Sequence, residues 1–259
     1  MFKQLFNDLY SYRQLLKSNV SKEIRGKYKG SFLGVLWSFV NPLLMTLVYA
    51  IVFPFVLKTG QPHYVTFLII GVLPWNFFTT VINQGTNCIL VNGGIIKKVY
   101  FPREILPISI ATSGLVNFLI SSIIILIFLF FSGVGYSFNI LFYPLIVLIQ
   151  YILSMGILFI TCSIDVYIRD AEYIINFFIM MLFYGTPVLY SASLFPKKIR
   201  TILNFNPMCP IINSYRDIFL YKKVPDLSLL LIVLVESIVL FVIGLKVFNK
   251  LQKGFAEEV

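Results

Sequence analysis

Few side chains in this sequence could do chemistry, and their spacing narrows the choice further. Three acids, Asp165, Asp170 and Glu172, fall close together. Neighbouring carboxylates can share general acid and general base roles. Arg169 lies among them, so a salt-bridged helix junction explains the group equally well. The single histidine, His63, and the three cysteines, Cys88, Cys162 and Cys209, form no paired metal or disulfide motif. Glu236 interrupts an otherwise apolar run. There it is either a proton or cation site, or it faces a bundle interior and pairs with a basic group or hydroxyl. Gly26 and Lys27 lack the upstream glycine of a phosphate-cradling P-loop and are followed by Tyr28. Neither GxSxG nor HExxH occurs.

Two segments look built for recognition. Residues 92–107, NGGIIKKVYFPREILP, mix basic and apolar side chains, and Pro102 suits the first turn of a helix. Such a loop could dock on a soluble partner, although an ordinary basic loop has the same composition. Residues 186–226 hold Pro187, Pro196, Pro207 and Pro210 beside Lys197, Lys198, Arg200 and Arg216. The stretch is too polar to span a membrane and too apolar for a free loop. Two short helices dipping back toward the membrane would satisfy both facts. Irregular backbone at that depth is tolerated only against protein or a water-filled cavity, so the expectation is a lid over an aqueous path.

The elements that position these groups follow from composition. Of 259 residues, 58% are hydrophobic and only 12% charged, and mean hydropathy is +0.87. A soluble globule of this length cannot bury that much apolar surface, which excludes a soluble enzyme or a free nucleic-acid binder. A bilayer core needs about 20 apolar residues as helix. Six stretches qualify: Phe32–Leu57, Tyr64–Val91, Ile105–Phe131, Ile140–Ile164, Tyr173–Leu194 and Leu227–Leu245. The third and fourth are separated by turn chemistry at residues 132–139, SGVGYSFN. The predicted fold class is an all-α membrane protein with six transmembrane helices and both termini on one side.

The net charge of +10 sets that side. With the termini inside, two thirds of the 21 Lys and Arg fall in inner segments, as the positive-inside rule requires. Residues 1–31 have no apolar signal core. Phe2, Leu5, Phe6, Leu9, Tyr12, Leu16 and Val20 recur at helical spacing, which predicts an amphipathic helix in the inner interface. Gly30 and Gly34 could permit close helix approach, and Pro42 suggests a kink. The organisation expected is one membrane domain over 1–259. Residues 1–31 form the interface helix, 32–185 spans one to five, 186–226 the outer helices, 227–248 span six and 249–259 a tail.

The segments Arg25–Trp37 (RGKYKGSFLGVLW) with Asn41 and Pro42, Lys97–Pro107 (KKVYFPREILP), Tyr167–Asp170 (YIRD), Thr186–Tyr190 (TPVLY), and Asn206–Pro207 with Pro210 and Arg216 follow one another in order. In this the chain resembles, over essentially its whole length, the permease subunits of ABC-2 type polysaccharide exporters of O-antigen, teichoic acid and capsule. The resemblance implies a channel made with a second copy of the chain, in the cytoplasmic membrane of a bacterium. It implies two copies of a separate nucleotide-binding subunit that hold ATP and Mg, with no cofactor in this chain. The implied cargo is a glycan on undecaprenyl diphosphate, moved outward by ATP hydrolysis. Lys97, Lys98, Val99, Tyr100, Phe101, Pro102, Arg103 and Glu104 would include or flank the ATPase-coupling helix. Pro187, Pro207, Pro210 and Arg216 would belong to the re-entrant outer gate helices.

Elementary chemistry adds two expectations. Rings with an apolar face and polar edge suit a sliding sugar chain. Candidates are Trp37, Phe39, Tyr49 and Phe53 in span one, and Phe177, Phe178, Phe183, Tyr184 and Tyr190 around span five. The same rings could equally face lipid or a neighbouring helix. Lys22, Arg25, Lys27 and Lys29 could draw the lipid diphosphate to the inner interface, or could simply retain the termini inside. Two other readings stand beside this one: an ABC-2 exporter of another lipid or drug, and a membrane enzyme acting on lipid-linked sugars through Asp165, Asp170 and Glu172.

Overall fold

The computed structural model describes residues 2–57 and 62–259, leaving aside the side chains of 2–4, 27, 28, 35 and 54–57, and is helical without a strand among the residues described. The chain opens with α1 (Phe2–Ser11) and α2 (Arg13–Tyr28), then continues as α3 (Trp37–Leu57) and α4 (Tyr64–Thr86). Two short turns, α5 (Cys88–Val91) and α6 (Gly93–Ile96), lead to α7 (Ile105–Ser121) and α8 (Ile123–Phe131). Next come α9 (Tyr143–Asp165), α10 (Ala171–Gly185), α11 (Lys197–Leu203), α12 (Met208–Phe219), α13 (Leu227–Leu251) and α14 (Phe255–Glu258).

Each of the six expected apolar segments holds a helix, although the first helix begins only at Trp37 and the fifth ends at Gly185. Four runs, Tyr64–Thr86, Ile105–Phe131, Phe138–Asp165 and Leu227–Glu258, are long and apolar enough to cross a membrane. The fifth expected span falls short. α10 ends at Gly185 and has 15 residues, about 22 Å at 1.5 Å per residue, against a hydrocarbon core of ~30 Å. The cause is local: Pro187 biases the preceding residue away from the helical region, and Thr186 is extended at φ −103°, ψ 138°. The turn between α8 and α9 follows expectation, with Gly133 and Gly135 at φ 73° and 70°.

α4 and α9 form the centre, and most of α4 is buried. α13 lies against α9 in the most extensive helix pair. The contact is made by backbone: a Cβ on Gly156 would meet the Phe241 nitrogen at 2.6 Å, and one on Gly244 would strike the Gly156 carbonyl oxygen. Small residues let helix backbones touch in this way. Gly30 and Gly34 do not serve that purpose. Both have positive φ, 78° and 52°, with open space where a Cβ would stand, so they are turn residues between α2 and α3.

The N-terminal segment also departs from a single interface helix. It breaks at Tyr12, and the amphipathic character resides mainly in α1. α2 packs lengthwise on α7. Tyr12, Leu15 and Asn19 line a small pocket with Leu106 at one end of α7, and Ser31 borders a cavity with Asn117 and Ser121 toward the other.

Candidate functional site

Three segments far apart in sequence meet at one end of the bundle. They are the α5–α7 connection, the α9–α10 corner and the C-terminal segment. Phe101 and Phe255 are buried and anchor the first and the last. Tyr167 joins them, its ring 6.3 Å from that of Phe255 and its hydroxyl donating to the Leu251 carbonyl at 2.8 Å. Gly93 packs against Val259. Arg103 Nη1 donates to the Gln252 carbonyl, and Gln252 Nε2 donates to Glu104 Oε1 at 2.9 Å. Thus 249–259 is a docked part of this platform and not a free tail.

Within 97–104 the side chains divide by role. Lys97, Lys98, Val99 and Tyr100 are exposed, Tyr100 at 92%. Phe101 points into the core, and Pro102, Arg103 and Glu104 are half-buried, the last two engaged with Gln252. These eight residues contain no helix; the helical turns are α5 and α6 immediately before them. The surface available to a partner is therefore the 95–100 tip, and Arg103 braces it from behind.

Of the acidic corner, Asp165 and Glu172 lie close enough to interact. Asp165 is 1% exposed, and neither carboxylate oxygen has a hydrogen-bond partner in the structure. Glu172 accepts from Asn87 Nδ2 at 3.2 Å, while Asp170 is exposed. Arg169 is also exposed, and the one ion pair among the described residues is elsewhere, so the expected salt-bridged junction is not what forms. Glu236 is half-buried and likewise makes no ion pair among the described residues.

On α2, Lys22 and Arg25 line a shallow groove with Lys17, Ser18 and Ser21, and Lys29 is exposed just beyond. The side chain of Lys27 lies outside the described residues. The nine aromatic candidates separate into several sets. Tyr49 meets Phe53 edge-on at 5.9 Å and Phe183 at 6.0 Å, and Phe183 also contacts Trp75 and Tyr184. Phe177 and Phe178 are exposed on α10. Tyr190 turns back, its hydroxyl donating to the Tyr184 carbonyl at 2.8 Å. Phe39 is partly buried against the core. Trp37 borders a separate cavity between α3, α4 and α7.

At the other end of the bundle, two short helices do occupy 186–226, but they differ. α11 is exposed throughout most of its length. α12 is a packed element: ten of its residues, Pro210 and Arg216 among them, are buried. Arg216 is therefore not an outward-facing charge. It is 1% exposed, and Nη1 and Nη2 donate to the carbonyls of Pro187 and Val188 at 2.5 and 2.6 Å. Asn206, just before Pro207, donates to Thr186 Oγ1 at 2.7 Å and accepts from the Met208 amide at 3.1 Å. Tyr215 donates to Gln150 Oε1 at 2.9 Å, and Gln150 in turn donates to the Pro74 carbonyl at 2.7 Å. Asp217 pairs with Lys223 at 3.2 Å. Burial still pushes the Asp217 carboxyl above its ordinary range, against the pull of that ammonium.

Long apolar helices, a folded platform at one end and a pinned pair of short helices at the other define a polytopic membrane protein. The particular kind follows from comparison with known proteins. Residues 14–220 match the ABC-2 type transporter family. The chain is 34% identical over 258 residues to the O-antigen export system permease protein RfbA of Myxococcus xanthus, covering 99% of each. It is 35% identical over 244 residues to the Klebsiella pneumoniae protein of the same name, covering 94% of each. The polysialic acid transport protein KpsM of Escherichia coli is 23% identical over 201 residues, 76% of this chain and 77% of that one. This chain belongs to the ABC-2 type transporter membrane family.

Proposed function

We propose that the chain is the membrane subunit of an ATP-driven exporter that carries O-antigen-type polysaccharide outward across the cytoplasmic membrane of a bacterium. One observation carries the reading: end-to-end similarity to O-antigen export permeases, at 34% identity over 99% of both chains. The glycan travels on undecaprenyl diphosphate. Residues 1–259 act as one transmembrane domain with both termini inside, and α3 and α10 count as the first and fifth of six spans.

Each part of the structure then has a task. The 95–100 tip is the contact for the nucleotide-binding subunit, two copies of which hold ATP and Mg. The groove on α2, with Lys22 and Arg25, receives the lipid diphosphate, and Lys27 and Lys29 of the same segment add to the positive charge. A second copy of the chain meets α3 and α10, whose exposed faces are apolar, with Leu47 and Ile51 on one and Phe177 and Phe178 on the other. The Tyr49–Phe183 cluster lies between them, next to the path, and residues 186–226 close the outer end as re-entrant gate helices. The enzyme reading is disfavoured by the same similarity, since the relatives are export permeases.

The test is purification in nanodiscs, alone and with an ABC ATPase subunit from the same organism. No hydrolysis alone, a stable complex with hydrolysis when paired, and loss of surface glycan on deletion are expected. Processing of lipid-linked sugar by the chain alone would overturn the reading.

A further inference from the structure

A cavity of about 380 Å³ opens between α3, α4 and α7, roughly midway along α4. Its polar lining is unusual for a bundle of apolar helices. Asn41, Asn76 and Asn117 bring three carboxamides from three different helices, and Ser38, Thr80 and Ser121 bring hydroxyls. Among the described residues no charged side chain borders it. Three rings complete the wall: the indole of Trp37, and Phe77 and Phe118, which stack on each other at 5.1 Å and 11°.

Part of this polar set is already committed. Ser121 Oγ donates to the Ser38 carbonyl at 3.0 Å, and Asn117 is engaged within the protein. Asn76, half-buried, and Asn41, exposed at the mouth, are different, since neither carboxamide has a hydrogen-bond partner among the described residues. Polar groups inside a membrane bundle are costly unless something satisfies them. An apolar occupant such as a lipid tail would leave both carboxamides unmet. An anion would enter without a cation to meet it, at a still larger cost. A carboxamide both donates and accepts, which is what a hydroxyl requires of its partner. Rings with an apolar face cover the C–H faces of a sugar. The volume holds about a dozen water-sized groups at ~30 Å³ each, the bulk of one hexose, and sits at the low end of small-ligand sites.

We propose that this cavity binds one neutral sugar ring of the transported glycan, separately from the Tyr49–Phe183 aromatic cluster. The inference rests on the reading of the chain as a glycan exporter and narrows its cargo to a polymer with uncharged, hydroxyl-rich units.

Trp37 reports on the site directly, because the protein has only two tryptophans. Fluorescence of a Trp75→Phe variant in nanodiscs is titrated with maltotriose or mannotriose, and separately with a trimer of sialic acid. The same titration of wild type minus Trp37→Phe gives the signal without touching the buried Trp75. A saturable change with a neutral trisaccharide and none with the acidic one is expected. Asn76→Leu should weaken the response about tenfold, as one lost hydrogen bond would. Asn41→Leu, at an exposed position that tolerates change, should do the same. No saturable change, an equal response to the sialic acid trimer, or indifference to both substitutions would overturn the proposal. So would displacement of the sugar signal by glycerol phosphate, which would point to a lipid headgroup. Pairing with the ATPase subunit is measured on the same samples. A chain that pairs but ignores sugar refutes the cavity alone, and a chain that does not pair refutes the exporter reading.

Discussion

The guanidinium of Arg216 lies 3.5 Å above the centre of the Phe67 ring, in a pocket that exists because residue 71 is glycine. A Cβ there would stand 2.6 Å from Arg216 Nη2 and 2.8 Å from the Val188 oxygen. One side chain on α12 thereby holds both the turn after α10 and the first half of α4.

Removing this pin should be costly. Arg216→Met leaves the Pro187 and Val188 carbonyls buried without donors, and each charge-assisted bond contributes ~1.5–3 kcal/mol. Arg216→Met is expected to destabilise the fold by about 3 kcal/mol or more, with Arg216→Lys retaining part of the loss. Gly71→Ala should mimic the defect. Thermal melts in detergent check this; an unchanged melting temperature for Arg216→Met would contradict it.

The α9–α13 contact admits no bulk. Gly156→Val must push the Phe241 backbone aside, an overpacking cost of roughly 1–3 kcal/mol. Gly30→Ala meets open space and instead meets only the strain of positive φ. The expected order of destabilisation is Gly156→Val well ahead of Gly30→Ala, read from the yield of monodisperse protein.

At the platform, surface and support should separate experimentally. Tyr100→Ala removes an exposed ring and should reduce stimulated ATP hydrolysis without lowering the melting temperature. Phe101→Ala empties a buried site and should cost about 3 kcal/mol of stability. Arg103→Ala should weaken export more than membrane insertion, and Gln252→Ala should reproduce part of that effect by freeing Glu104. Equal loss of export and insertion in Arg103→Ala would remove the coupling role.

The Asp217 carboxyl titrates above its unfolded value, so the fold favours its protonated form. That contribution is complete below the unfolded pKa and is lost as pH rises through the raised one. Asp217→Asn should therefore flatten the dependence of melting temperature on pH across the acid range, with little change at low pH. A steeper dependence in the variant would refute the sign.

Much of the scaffold was readable because apolar runs and turn residues report directly on helices in a membrane. The glycine turn at 133–135 and the two short helices in 186–226 fell where the composition placed them. What sequence concealed were relations between helices. Arg216 read only as one of the positives of 186–226, since nothing local shows that α12 packs against α4, α9 and α13. The extended backbone at Thr186 was signalled by Pro187, yet the apolar run through Leu194 masked it. Gly156 and Gly244 were lost among apolar neighbours, while Gly30 and Gly34 drew notice through spacing alone. Asn41, Asn76 and Asn117 meet only in three dimensions, because the period of a helix gives its apolar face but not which polar residue it turns toward a neighbour.

The glycine contact between α9 and α13 also divides the molecule mechanically. Two backbones in touch have no side-chain layer to re-pack, so neither can slide or roll past the other without collision. The pair behaves as a stator. In the exporter proposed above, α3 and α10, joined through the Tyr49 and Phe183 rings and only lightly buried elsewhere, would be the moving wall against it. Any widening of the molecule for a passing chain must therefore be hinged at the turns around residues 29–36 and 166–170, with the Arg216 pin as the fixed point at the far end.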